Sequence, residues 1–315
     1  MLGLTVWLLW TGPRLAPIKS DPIFLEAEWL GGGGHELLRD LDNAQIIVPA
    51  RPHDPLEAYA EQLAHVSRRR TFSVSTNSIG LRHPELTSKE GYRILCLGES
   101  VTFGWGVTAS EAYPAQLSEI LGVEVINAGI PAMRPSHMSE WLQRYASSLD
   151  ADLILITFRP NWMHPFPWID YFQSIRNAKS VVAPIPIAVI LPPISTFDLR
   201  GNSQRPEELS RLRQQLRDVP WLDLTPAFRA ALPASGVILN DNNGVQEIID
   251  RQSGAVLAQA VSPDPLTLAP EIVEALENDH ELAEPLMFDG AHPDAQGFVV
   301  FAQTVADFIR EQGWR

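Results

Sequence analysis

The chain has 315 residues, 45% hydrophobic and 20% charged, enough apolar material for one large domain and too much for wholesale disorder. Its 24 basic and 38 acidic residues leave a net charge of -14, so it lacks the basic footprint that nucleic acid and anionic lipid surfaces require. One cysteine, Cys96, excludes a disulfide within the chain, and its place in an apolar run reads as a buried, inert thiol.

Residues 1–10 (MLGLTVWLLW) are apolar but too short to span a bilayer, and no lysine or arginine precedes them. A strand or helix packed on the domain is expected there, with a signal or anchor remnant as the alternative. No other apolar run reaches spanning length, so no stable membrane span is expected. A soluble protein follows, cytoplasmic in preference to exported or N-terminally anchored. Residues 1–90 read as an N-terminal extension. Its glycine run, 31–34, is followed by His35 and Glu36 without the Lys-Ser or Lys-Thr of a phosphate-binding loop, and reads as a loop. Residues 71–75 alternate like a short strand, and 77–80 (Asn-Ser-Ile-Gly) form a turn.

From Tyr92 onward the pattern becomes strand, helix, strand, helix. Near-continuous apolar runs at 93–97, 123–126, 152–158 and 187–191 read as strands, with a fifth at 221–224. Helical spacing covers 112–121, 138–149 and 206–219. Strands apolar on both faces and alternating with helices predict a mainly parallel sheet covered on both sides, a three-layer α/β/α sandwich. The region 236–285 breaks this rhythm and reads as an insertion. It holds a hairpin, 245–250 and 255–257 about the turn 251–254, then an acidic helical stretch at 265–284. Residues 296–312 close the domain as a helix spaced through Phe298, Phe301, Ala302, Val305 and Phe308. The domain proper spans 91–315.

Ligands of such sheets sit at the carboxyl ends of the strands. Ser100, the segment 127–132 and Asn161 each follow a strand end. A serine hydroxyl is a poor nucleophile until an imidazole takes its proton, and the imidazole needs a fixed tautomer. Asp289 and His292, close to the C-terminus, supply an orienter and a base. The turn is not an α/β-hydrolase elbow, because Thr102 stands where Gly-X-Ser-X-Gly requires its second glycine.

Four blocks in order resemble the SGNH/GDSL hydrolase family: Gly98-Glu99-Ser100 with Thr102 and Gly104; the run 125–132 (VINAGIPA); Asn161; and Asp289 to His292 with Pro293 and Gly297. The resemblance covers about 92–315. It implies a flavodoxin-like, five-stranded sheet and a serine esterase in which Ser100 attacks an ester carbonyl, His292 shuttles the proton and Asp289 holds His292. It also implies an oxyanion hole from the Ser100 N–H, the Ala132 N–H and the Asn161 side chain. Three departures stand out: Glu99 for the usual aspartate, Ala132 for glycine, and Arg159-Pro160-Asn161-Trp162 for Gly-X-Asn-Asp. The last suggests altered substrate choice.

Arg134 and Arg159 follow the oxyanion segments and can receive an anionic substrate group or pair with nearby acids. Trp162 opens an aromatic stretch with Phe166, Trp168, Tyr171 and Phe172 that suits an acyl pocket, a sugar-stacking wall or plain packing, and Trp105 carries the same ambiguity. The other histidines (35, 53, 65, 83, 137, 164 and 280) lack metal-ligand spacing, and this chemistry needs no metal or organic cofactor. The expected partner is a small-molecule, glycan or lipid ester, with oligomeric state open. Two rivals remain: an O-acyltransferase on the same residues, and a binding module that keeps the fold without catalysis.

Overall fold

The computed structural model describes residues 36–48, 70–131, 133–158, 168–193, 205–232, 237–242, 245–250, 253–261, 269–277, 286–287 and 292–315. The apolar segment 1–10 and the glycine run 31–34 lie outside them.

An antiparallel pair comes first, β1 (Ala44–Val48) with β2 (Arg70–Val74). The central sheet consists of β3 (Arg93–Gly98), β4 (Glu124–Gly129), β5 (Leu153–Thr157), β6 (Ile187–Leu191) and β7 (Trp221–Asp223). All its pairings are parallel, and its spatial order is β4-β3-β5-β6-β7. Counted from the first strand of this sheet, that is the flavodoxin-like order 2-1-3-4-5. The helices in chain order are α1 (Ser100–Phe103), α2 (Tyr113–Leu121), α3 (Pro135–Leu149), α4 (Trp168–Val182), α5 (Arg205–Gln215), α6 (Thr225–Ala231), α7 (Pro270–Glu277) and α8 (Ala295–Glu311).

Successive side chains of a strand point to opposite faces, and the core divides accordingly. Leu95, Leu97, Ile154, Ile156 and Val189 join one cluster with Trp141 and Leu142 of α3, Ile175 of α4 and Leu212 of α5. Ile94, Cys96, Leu153, Leu155 and Ile190 join a second with Leu117 of α2, Phe228 of α6 and Phe298, Phe301 and Val305 of α8. This is an α/β/α sandwich. Burial pushes the Cys96 thiol up to about 12, so at neutral pH it is neither a nucleophile nor a ligand.

The described parts of the N-terminal segment, 36–48 and 70–90, pack on this body. Ile46, Phe72, Val74 and Leu81 are buried in the first cluster beside Leu95 and Leu97. The expected strand at 71–75 is β2. Its partner β1 carries a weaker pattern (AQIIV). The turn at 77–80 closes with Gly80 N–H donating to Asn77 O at 2.9 Å.

The structure makes two expectations more specific. In the described part of the aromatic stretch the packing alternative holds, and it takes helical form: α4 begins at Trp168, and Tyr171 and Phe172 are buried in the core, Tyr171 stacked on Phe158 at 4.7 Å. Their spacing with Ile175 is helical, and apolar burial decides their direction. In the insertion, the hairpin is β9 (Val245–Asp250) with β10 (Val256–Val261), and β8 (Val237–Asn242) adds a third strand that its Asn-Asp-Asn end concealed. Among the described residues no helix is long and apolar enough to cross a membrane, and no cluster of three His, Cys, Asp or Glu side chains could hold a metal ion.

Candidate active site

β3 runs directly into Glu99 and Ser100. Glu99 is the N-cap of the single-turn helix α1, buried and making no side-chain cap. Ser100 is therefore the first residue of a turn standing on the carboxyl end of the sheet. The turn is held from several sides. Gly104 N–H donates to Ser100 O at 3.1 Å, and Trp105 N–H to the same oxygen at 3.0 Å. Ile130 N–H, past the end of β4, donates to Gly98 O at 2.9 Å.

Asn127 near the end of β4 fixes the adjoining backbone. Its Oδ1 accepts from Gly129 N–H at 2.9 Å, and its Nδ2 donates to Phe103 O at 3.3 Å. A Cβ on Gly129 would sit 2.0 Å from the Phe103 nitrogen, so only glycine lets β4 pass this close to the serine helix. Below α1 is a buried hydroxyl cluster. Tyr113 OH lies 2.9 Å from Thr157 Oγ1 and 3.5 Å from Thr102 Oγ1. Burial, above all, holds the Tyr113 phenol well above its ordinary value, so it remains a neutral hydrogen-bonding strut.

His292 arrives from the other end of the chain. Met287 bridges Pro293 in antiparallel fashion, and Asp294 N–H donates to Leu286 O at 3.0 Å. Asp294 then caps α8, its Oδ1 accepting from Gly297 N–H at 2.8 Å. A Cβ on Gly297 would lie 2.2 Å from Leu286 O, so the segment carrying His292 can rest on the first turn of α8 only because residue 297 has no side chain. The α8 face beyond is anchored by Phe301, which stacks on Tyr113 at 4.1 Å. That contact ties the histidine's helix to the hydroxyl cluster under the serine.

The result is a direct meeting. His292 Nε2 lies 2.8 Å from Ser100 Oγ, across 192 residues of sequence. With the imidazole proton on Nδ1, Ser100 O–H donates to Nε2, the arrangement needed for proton abstraction. The Trp105 ring flanks this pair, its centroid 6.5 Å from that of His292. Trp105 is half-buried and packs edge-on against Phe72 of β2 at 5.5 Å.

Of the other expected site residues, Arg134 is exposed and stands at the N-cap of α3. Asp289, Ala132, Asn161, Arg159 and Trp162 lie outside the described residues. The structure gives its own role to Asn127, which the sequence offers only as part of the segment 127–132, and adds Tyr113 and Arg82, which the sequence does not place at the site. An asparagine inside the apolar run Val125-Ile126-Asn127-Ala128 was the available signal for the first, since a buried amide must find partners.

No protein-family model matches this chain, and no curated protein sequence matches it. Several solved structures are similar to it. A protein described as lipolytic and of the G-D-S-L family, from Desulfitobacterium hafniense DCB-2, is 15% identical over 69% of this chain and 99% of its own, with a TM-score of 0.43. A catalytic mutant of the acetylxylan esterase Axe2 from Geobacillus stearothermophilus is 18% identical over 73% of this chain and 98% of its own, with a TM-score of 0.42. A salicylyl-acyltransferase from a tetracycline biosynthetic pathway is 15% identical over 73% of this chain and 56% of its own, with a TM-score of 0.42.

Proposed function

We propose that this chain is a serine esterase of the SGNH/GDSL type that cleaves a carboxylic ester, an O-acyl group on a carbohydrate or lipid being the class to test first. The observation that carries the reading is the 2.8 Å contact between Ser100 Oγ and His292 Nε2 at the carboxyl end of a parallel sheet. In the reaction, Ser100 Oγ bonds to the ester carbonyl carbon while its proton passes to His292 Nε2. The carbonyl oxygen takes the negative charge of the tetrahedral intermediate. Collapse breaks the bond to the leaving alcohol, which receives the proton from His292. Water repeats the cycle on the acyl-serine and frees Ser100.

Asp289 would orient His292 through Nδ1. The Ser100 and Ala132 N–H groups and the Asn161 amide would receive the oxyanion, each such donor being worth on the order of 10²–10³ in rate. These assignments rest on the resemblance of the sequence blocks and on the strand-end position of Ser100. No bound metal or organic cofactor enters any step of this scheme.

The test is covalent labelling. A fluorophosphonate probe should label the wild-type protein, and p-nitrophenyl acetate should be hydrolysed. Ser100→Ala should lose both while keeping its circular dichroism spectrum. Unchanged turnover in Ser100→Ala would remove Ser100 from the mechanism, and a wild-type protein inert to both reagents would favour a binding module. An ester panel run with and without sugar acceptors would then separate hydrolysis from acyl transfer and define acyl length.

A further inference from the structure

Arg82 belongs to no strand or helix and lies before the catalytic sheet begins, yet it is 3% exposed. Its guanidinium reaches the far end of the serine helix. Nη1 donates to Phe103 O at 2.9 Å and to Gly104 O at 2.7 Å, the last residue and the C-cap of α1. Nη2 donates to Val107 O at 2.7 Å and to Ser73 O of β2 at 3.0 Å. The guanidinium carbon sits over the Phe103 ring at 4.7 Å and the Phe72 ring at 5.4 Å. Four carbonyl groups from three segments thus converge on one planar cation.

Burying a charge is costly unless its surroundings satisfy it, and here satisfaction comes largely from the serine turn itself. The position also suits the negative end of α1. A second contact chain runs alongside: Phe72 packs on Trp105, and Trp105 flanks His292. The same residues of the N-terminal segment therefore abut both the nucleophile's helix and the wall beside its base. Burial lowers the guanidinium to about 10, which leaves it charged throughout the neutral range.

We infer that Arg82, backed by Phe72, is a positioning residue for the reaction: it holds the Ser100 turn and the Trp105 wall in register with His292, so that the N-terminal segment forms part of the active site's frame. This rests on the esterase reading above. Lysine keeps the charge but cannot span four carbonyls or lie flat between two rings. A displacement of about 1 Å at a nucleophile can cost on the order of 10²-fold in rate.

The experiment compares wild type, Arg82→Lys, Phe72→Leu and Leu212→Ala. Leu212 lies in α5 and supplies a core-destabilised control. With p-nitrophenyl acetate, Arg82→Lys should lose about 10- to 100-fold in kcat, with KM within about threefold, and its fluorophosphonate labelling should slow in parallel. Phe72→Leu, which leaves the guanidinium in place, should lose about threefold or more in kcat by the same route. Leu212→Ala should lower the melting temperature and keep kcat. If Arg82→Lys and Phe72→Leu both keep kcat within about twofold, or if Leu212→Ala loses as much kcat as they do, the inference is overturned. Should Arg82→Lys not fold, Phe72→Leu decides alone. A wild-type protein that neither labels nor turns over overturns the esterase reading and this inference with it, whereas normal wild-type labelling matched by both variants overturns this inference only.

Discussion

In the proposed reaction the Ser100 hydroxyl and the His292 imidazole, 2.8 Å apart, work as one reacting unit. Neither has value to the reaction without the other: the hydroxyl keeps its proton, or the imidazole has nothing to activate. Residues that act as a unit are grossly non-additive when removed. Ser100→Ala and His292→Ala should therefore each lower kcat by several orders of magnitude, and the double variant should be no worse than the more damaged single one. Steady-state hydrolysis of an activated ester by the three proteins measures this. Losses that multiply in the double variant would mean that serine and histidine act independently. Neighbouring residues contribute by shape. Glu99 is buried at the N-cap of α1 and makes no side-chain cap there.

At the scale of elements, the strands were legible because a strand covered on both faces must be apolar throughout. β6 is apolar throughout, β5 up to Thr157, and β3 after Arg93 at its amino end. The serine turn was legible as residues but not as a supported structure. Its struts are Asn127, Tyr113 and Arg82, and their bonds are fixed by tertiary approach, which local pattern does not carry. α4 was masked for a similar reason: aromatic residues suit a pocket as well as a core, and only the burial of Tyr171 and Phe172 decides. Gly297 was legible as part of a motif, and the structure supplies its purpose. Replacing it with alanine offers two opposed outcomes. Helix propensity alone would raise stability by as much as ~1 kcal/mol. The new Cβ, however, would stand 2.2 Å from Leu286 O and 3.0 Å from Pro293 Cβ, on the segment that carries His292. Overpacking of this kind costs about 1–3 kcal/mol, and it should push His292 from Ser100. Gly297→Ala should therefore melt lower and lose tenfold or more in kcat (an order-of-magnitude expectation for a small displacement). A variant that melts higher and turns over normally would show that the close approach is dispensable.

Across the whole molecule, the two ends of the sheet divide the work. The carboxyl end carries Ser100 and His292. The amino end is sewn together by charge. Arg93, the first residue of β3, donates through Nε to Glu124 Oε2 of β4 at 2.7 Å and through Nη1 to Leu149 O of α3 at 2.8 Å, and its N–H donates to Asp152 Oδ2 at 2.8 Å. His83 lies beside this network, its Nε2 3.8 Å from Glu124 Oε1. Burial depresses the His83 imidazole below its ordinary value and nearby Arg93 adds to this, while Glu124 opposes it only in part. The folded protein therefore keeps His83 neutral at a pH where the unfolded chain, with an imidazole near 6.5, binds a proton. Between the two values the unfolded state holds more protons, so stability rises with pH. The contribution is complete above about 6.5, falls away as pH drops through that value, and stops changing below the folded pKa. Urea midpoints measured between pH 7.5 and 5.5 should decline on acidification in the wild type and decline less in His83→Gln. The carboxylate of Asp152, held low beside Lys89 and Arg93, acts at lower pH, outside this window. Parallel slopes for the two proteins would mean that His83 takes up its proton as readily in the fold as outside it.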